Sequence, residues 1–142
     1  MKKNTLDSVL RSTWNSVSKM YNREASKFDS TMATGFALLN IDAEGTPSSA
    51  LGPKLGMEST SLSRTLKSME ELKLIKRVSN PEDRRGVLIK LTEKGIDLRN
   101  LAKKNGVKFN KVVYEKIGKE DINIFLSVMN KINKMIKKKK IY

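Results

Sequence analysis

The 142 residues contain no cysteine and no histidine. The first absence removes disulfides, thiol redox sensing and thiolate metal sites. The second removes the commonest general base and the commonest metal ligand. Most hydrolase and zinc chemistry is therefore excluded, and no paired carboxylates stand at a useful spacing. The chain reads as a non-enzyme with no cofactor and no metal. Long apolar runs are missing too. Nothing approaches the ~18 apolar residues of a membrane span, and the start Met1-Lys2-Lys3-Asn4-Thr5-Leu6-Asp7 has no apolar signal core. The expectation is a cytoplasmic protein with no membrane segment.

Positive charge is what the chain has in excess. Lys+Arg is 29 against 15 for Asp+Glu, a net +14. Such a surplus favours a polyanion as partner, nucleic acid or an acidic membrane surface, over the bland alternative of a lysine-rich surface kept for solubility. The apolar fraction, 38%, makes a thin core and favours burial against a second copy. The length fits one domain, or one domain with a dimerisation extension.

Periodicity supplies the elements. Leu6, Val9, Leu10, Trp14, Val17, Met20 and Tyr21 mark one face of a helix over 5–28. A second, nearly all apolar helix spans Met32–Ile41 and belongs at the centre. Thr46-Pro47 looks like a helix start, hydroxyl cap then proline, for a third helix to Leu55 stopped by Gly56. Gly52-Pro53 inside it predicts a bend or a 3₁₀ stretch. The fourth helix runs from Glu58/Ser59 to about Leu72, with Leu62, Leu66 and Met69 inward. Ile75–Val78 and Val87–Leu91 are strand-like, joined by the eight-residue loop from Ser79 to Gly86. Thr92 caps a fifth helix to Ile117, and Gly118 separates a last one over Glu120–Ile136. Methionines 20, 32, 69, 129 and 135 fall on apolar faces as core filling. The Lys137–Lys140 run reads as a solvated tail.

The functional signal lies between Ser59 and Leu91. A helix reaches base edges only in the major groove, so it must keep an apolar stripe inward and short polar or cationic side chains outward. The fourth helix divides in this way. Ser59, Thr60 and Ser63 can meet phosphates or base edges near free backbone N–H groups. Arg64 suits bidentate contact with guanine, and Lys67 suits a phosphate. An ordinary amphipathic surface helix would show the same division, but the hairpin that follows carries Asp83-Arg84-Arg85-Gly86. Arginine favours a narrow minor groove, where negative potential is concentrated. Arg85 is the candidate for insertion. Asp83 would hold an arginine or the loop backbone, and Asp83 with Arg84 can equally be a structural ion pair.

These residues, in the runs Thr46–Leu51, Leu55–Met57 and Ser61–Leu66, and in Leu74–Gly95 with its Asp-x-Arg wing followed by Leu-Thr-x-x-Gly, resemble the MarR (multiple antibiotic resistance regulator) family. The match covers Thr46–Gly95. The resemblance implies a mainly α fold with a small β-wing: a winged helix-turn-helix over 31–92, and dimerisation helices over 5–30 and 93–137 of one 1–142 domain. It implies a homodimer on double-stranded DNA, usually a repressor at a pseudo-palindrome, answering to a small hydrophobic or anionic effector. Ser59, Thr60, Ser63, Arg64, Lys67 and Arg85 then correspond to the family's DNA contacts. Gly52-Pro53 departs from the pattern, which has good helix formers there. Members that sense oxidants use cysteine and zinc sensors use histidine, so neither mode applies. Trp14 and Tyr21 can border an effector pocket or sit in the dimer core. The competing reading is a non-specific nucleoid or RNA-binding protein driven by charge alone.

Overall fold

The computed structural model describes residues 4–142 as six helices and a three-stranded sheet. The order is α1 (Leu6–Ser26), α2 (Met32–Leu39), β1 (Thr46–Pro47), α3 (Ser48–Leu55), α4 (Ser59–Glu71), β2 (Ile75–Asn80), β3 (Asp83–Leu91), α5 (Glu93–Ile117) and α6 (Lys119–Lys137). The chain forms two compact units, one up to Asn105 and one from Gly106 to Tyr142, with the division inside α5. Among the described residues no helix is long and apolar enough to cross a membrane.

Local chemistry sets the helix ends. Thr5 and Ser8 form a reciprocal capping box at the start of α1. The Thr31 hydroxyl accepts the Thr34 N–H at 3.1 Å to open α2, and Asn22 accepts the Met32 N–H at 2.9 Å from across the α1–α2 corner. The core is one cluster built by α2, α3, α4 and the sheet: Ala37, Leu38, Ile41, Leu51, Leu62, Leu66, Met69, Leu74, Ile75, Ile89 and Leu91. Each large member contributes roughly 1.5–3 kcal/mol by leaving water. Every one of them precedes α5.

One expectation fails on the third helix, together with one of the two alternatives of another. Thr46-Pro47 is not a helix start but an edge strand, with Thr46 opposite Ile89 and Pro47 opposite Leu88. The Thr46 hydroxyl turns back and accepts the Asp42 N–H at 2.8 Å instead of capping α3. Proline is tolerated there because an edge strand can leave one side of its backbone unpaired. Nor does Pro53 force a 3₁₀ stretch, since α3 is α-helical throughout. Pro53 is the sixth of the eight residues of α3, so the one intrahelical bond it forfeits is its own, to the Ser49 carbonyl. Gly56 then ends the helix in the left-handed region at φ 62°.

The Thr92 cap is present as expected. Its hydroxyl accepts the Gly95 N–H at 3.0 Å and donates to the Lys73 carbonyl at 2.6 Å. One side chain therefore opens α5 and satisfies the end of α4. Of the methionines, Met69 is fully buried, Met20, Met32 and Met129 are half-buried, and Met135 is exposed. Lys137 is the last residue of α6, and Lys139 and Lys140 close its end through their N–H groups on Ile136 and Met135.

Candidate nucleic-acid interface

Helix α4 keeps Leu62, Leu66 and Met69 buried and leaves Ser59, Thr60, Ser63, Arg64 and Lys67 exposed. At about 100° per residue these five fall within roughly 140° of arc, one continuous outward face. The N-cap residue Glu58, just before α4, makes no side-chain cap, so the first-turn N–H groups stay open to an acceptor such as phosphate. The C-terminus, by contrast, is fully tied. Leu74 N–H reaches the Met69 carbonyl at 2.9 Å, Lys94 Nζ donates to the Leu72 carbonyl at 3.1 Å, and Glu70 pairs with Arg77 of β2 at 3.2 Å. The N-terminal end is free and the far end is anchored to the sheet and to α5.

The hairpin is longer than the sequence suggests. Strands β2 and β3 pair up to Asn80 opposite Asp83, so only Pro81-Glu82 remain at the turn, not an eight-residue loop. The register slips between Ser79, which faces Val87, and Asn80, which faces Asp83. Arg84, Arg85 and Gly86 are thus the extra residues of a bulge on β3, and bulges redirect side chains and sharpen twist. Asp83 holds this bulge: its Oδ1 accepts the Arg85 backbone N–H at 3.0 Å. Asn80 does the same for the Glu82 N–H at 3.0 Å. Of the two roles open to Asp83, the structure places it on the backbone, and among the described residues it makes no ion pair with Arg84. Both arginines are exposed.

The structure adds groups that the sequence reading left out. A cleft of about 390 Å³ between α3, α4 and β2 brings Ser48, Ser49 and Arg77 beside Ser59 and Ser63. A second cleft, of about 300 Å³, runs from Asp29, Ser30 and Thr34 to Arg64, Thr65 and Ser68. Neither Arg77 nor Asp29 carries a local signal, because only the tertiary fold brings them to α4. Trp14 and Tyr21 both meet Phe36, at ring-centroid distances of 6.5 and 6.2 Å, which packs α1 on α2. Burial pushes the Tyr21 phenol pKa up. Trp14 remains 53% exposed.

Comparison with known proteins agrees with this geometry. Residues 36–95 match the winged helix DNA-binding domain model. The uncharacterized HTH-type transcriptional regulator YhbI of Bacillus subtilis (strain 168) is 28% identical over 109 residues, covering 76% of this chain and 71% of that one. Among solved structures, the S. aureus MepR–DNA complex aligns with a TM-score of 0.85 at 19% identity, over 93% of this chain and 98% of that one. A MarR variant from E. coli complexed with operator DNA aligns at 0.80 and 21% identity, over 89% and 92%.

Proposed function

We propose that this chain, which carries a winged helix DNA-binding domain over residues 36–95 and has the fold of MarR-family structures, is a transcription regulator that acts as a ligand-responsive repressor, binding a pseudo-palindromic operator as a homodimer in the cytoplasm. The observation that carries this reading is the outward face of α4 standing beside a bulged arginine wing in one folded unit. The α4 face meets base edges in the major groove, with Arg64 on guanine and Lys67, Ser59, Thr60 and Ser63 on phosphates or bases. Arg85, with Arg84 next to it, enters the adjacent minor groove, and Asp83 fixes the bulge that aims it. A sequence-blind packaging role would need neither the free α4 N-terminus nor the Asp83-held wing.

Support for two copies comes from what a single chain leaves uncovered. Neither α1 nor α6 contains one buried residue, although both carry apolar faces. Faces of that size on a protein with this little core mark an interface, and a two-fold dimer places two α4 helices about one DNA turn apart. The effector reading is supported by the 300 Å³ cleft, which is large enough for a small ligand and is bordered by Arg64. An anion held there would engage the guanidinium that the base edges need.

Selection of bound duplexes from a random pool tests the assignment: a two-fold symmetric consensus is expected, and an absence of any consensus overturns it. On the selected duplex, Arg64→Ala should cost about 1–3 kcal/mol and relax preference at one or two base pairs. An unchanged ratio of selected to random duplex binding would remove Arg64 from the base-reading role. Asp83→Ala should lower affinity by several-fold, roughly the 0.5–1.5 kcal/mol of the hydrogen bond it deletes. Because Asp83 is exposed, thermal stability should stay close to that of the parent, and the titration curve is the readout.

A further inference from the structure

Half of the net charge lies where neither the α4 face nor the wing does. Gly106–Tyr142 holds ten lysines against three carboxylates. After Glu120 and Asp121 in the first turn of α6 there is no further acidic residue, while six lysines follow. Among the described residues none of these lysines has an ion-pair partner within 4.0 Å.

The lysines are not scattered around α6. Asn123, Ser127, Asn130, Lys131, Lys134 and Lys138 recur at steps of three and four, so they form one stripe along the helix, and all six are exposed. Lysines at that spacing stand about 5–6 Å apart at Cβ, where their ammonium groups repel unless an anion lies between them. The helix dipole accounts for cations in the last turn only. Lys131 lies nearly two turns before Lys137, beyond its reach. The composition of the stripe identifies the anion. Lysine, asparagine and serine are phosphate-contacting side chains in protein–DNA complexes. A membrane-binding helix needs the Phe and Leu of its opposite face free to enter the bilayer, whereas on the proposed homodimer the opposite face of α6, with Phe125 and Leu126, is the one that a second copy covers.

We propose that the polar stripe of α6 is a second, sequence-blind binding site for duplex DNA, separate from α4 and the wing, through which operator-bound protein holds another DNA segment. Each lysine neutralises a phosphate and releases a counter-ion, so the second contact weakens with salt independently of the first. A segment of the same molecule is the natural occupant, since it is present at high effective concentration once the operator is bound. The site would let a regulator join two stretches of a chromosome with no new fold element.

The test uses the full chain on an immobilised duplex selected from a random pool, with a labelled random-sequence duplex added second. Wild-type protein should retain the label. K131Q/K134Q/K138Q should bind the immobilised duplex as wild type does but retain about tenfold less label, with the log–log salt slope of retention reduced by roughly 2.7, or 0.9 for each phosphate no longer neutralised. K131R/K134R/K138R, which keeps the charge, should retain the label. The proposal is overturned if wild type retains none, if the glutamine variant retains as much as wild type, or if the label is displaced only by single-stranded RNA. It is equally overturned if the protein prefers vesicles of phosphatidylglycerol and phosphatidylcholine in equal parts to the second duplex. Should no selected duplex emerge, direct titration of the random duplex with R64A/R85A, with and without the three glutamines, still reads the stripe by itself. Failure of the α4 assignment is thereby distinguished from failure of this one.

Discussion

Replacing Phe125 with glutamate should yield a folded but monomeric chain that binds its operator about 10²–10⁴-fold more weakly, the factor by which linking two half-site contacts multiplies affinity. Phe125 is 51% exposed in the single chain and sits on α6 among Ile122, Leu126, Met129, Ile132 and Ile136. These positions repeat at three and four residues and define a face that one copy covers only in part, leaving Phe125, Leu126 and Ile136 exposed. Covering such a face in a dimer gains roughly 25 cal/mol per Å² of apolar area. A carboxylate placed at its centre would have to be buried without a partner, at a cost of several kcal/mol per copy, and the dimer gives way first. The fold of each protomer's winged unit does not depend on this face, because its core residues all precede α5. Sedimentation velocity should therefore show a halved mass alongside an unchanged circular dichroism spectrum. Phe125→Leu, which keeps the face apolar, should remain dimeric and bind DNA normally. A dimeric glutamate variant with wild-type affinity would remove α6 from the interface.

Much of this architecture was legible from residue spacing alone. The inward stripe Leu62/Leu66/Met69, the outward Arg64 and Lys67, the Thr92 cap and the Gly118 break all rest on local rules that one helix obeys by itself, and the structure has each of them. What the sequence misplaced depends on a distant partner. Thr46-Pro47 satisfies every local criterion for a helix start, yet it is a strand because Ile89 and Leu88 lie opposite it. Ser79, Asn80 and Asp83 have the composition of a loop, but their backbones complete a ladder whose bulge, at Arg84–Gly86, is visible only in the register. Asp83 was open between an ion pair and a backbone anchor for the same reason, and geometry decided it. Arg77 joins the α4 cleft through the fold alone. The apolar periodicity of α1 and α6 shows that a face exists, while its exposure in the single chain shows that the face still needs a cover.

Gly95→Ala should destabilise the protein by about 3 kcal/mol, the reverse of what helix propensity predicts. Alanine in the interior of a helix is ordinarily better than glycine by roughly 1 kcal/mol, and Gly95 lies in the first turn of α5. Its surroundings overrule the propensity. A Cβ at this position would stand 2.0 Å from the Leu74 carbonyl oxygen and 3.0 Å from the Leu74 carbonyl carbon. That oxygen is also the acceptor for the Thr92 N–H at 3.0 Å, so it cannot retreat without breaking the bond that seats α5 on the end of α4. Backbone, unlike a flexible side-chain tip, has no alternative rotamer to take up. Gly106, in the same helix, is the internal comparison: a Cβ there meets nothing within 4 Å. Gly106→Ala should thus stabilise by about 1 kcal/mol. Urea unfolding at one fixed protein concentration measures both, since the stability of a self-associating chain depends on concentration. Opposite signs for the two alanines would locate the cost in the Leu74 contact. If both stabilise, α5 does not press on Leu74. The pinned end of α4 would then no longer explain how this helix keeps its place beside the wing.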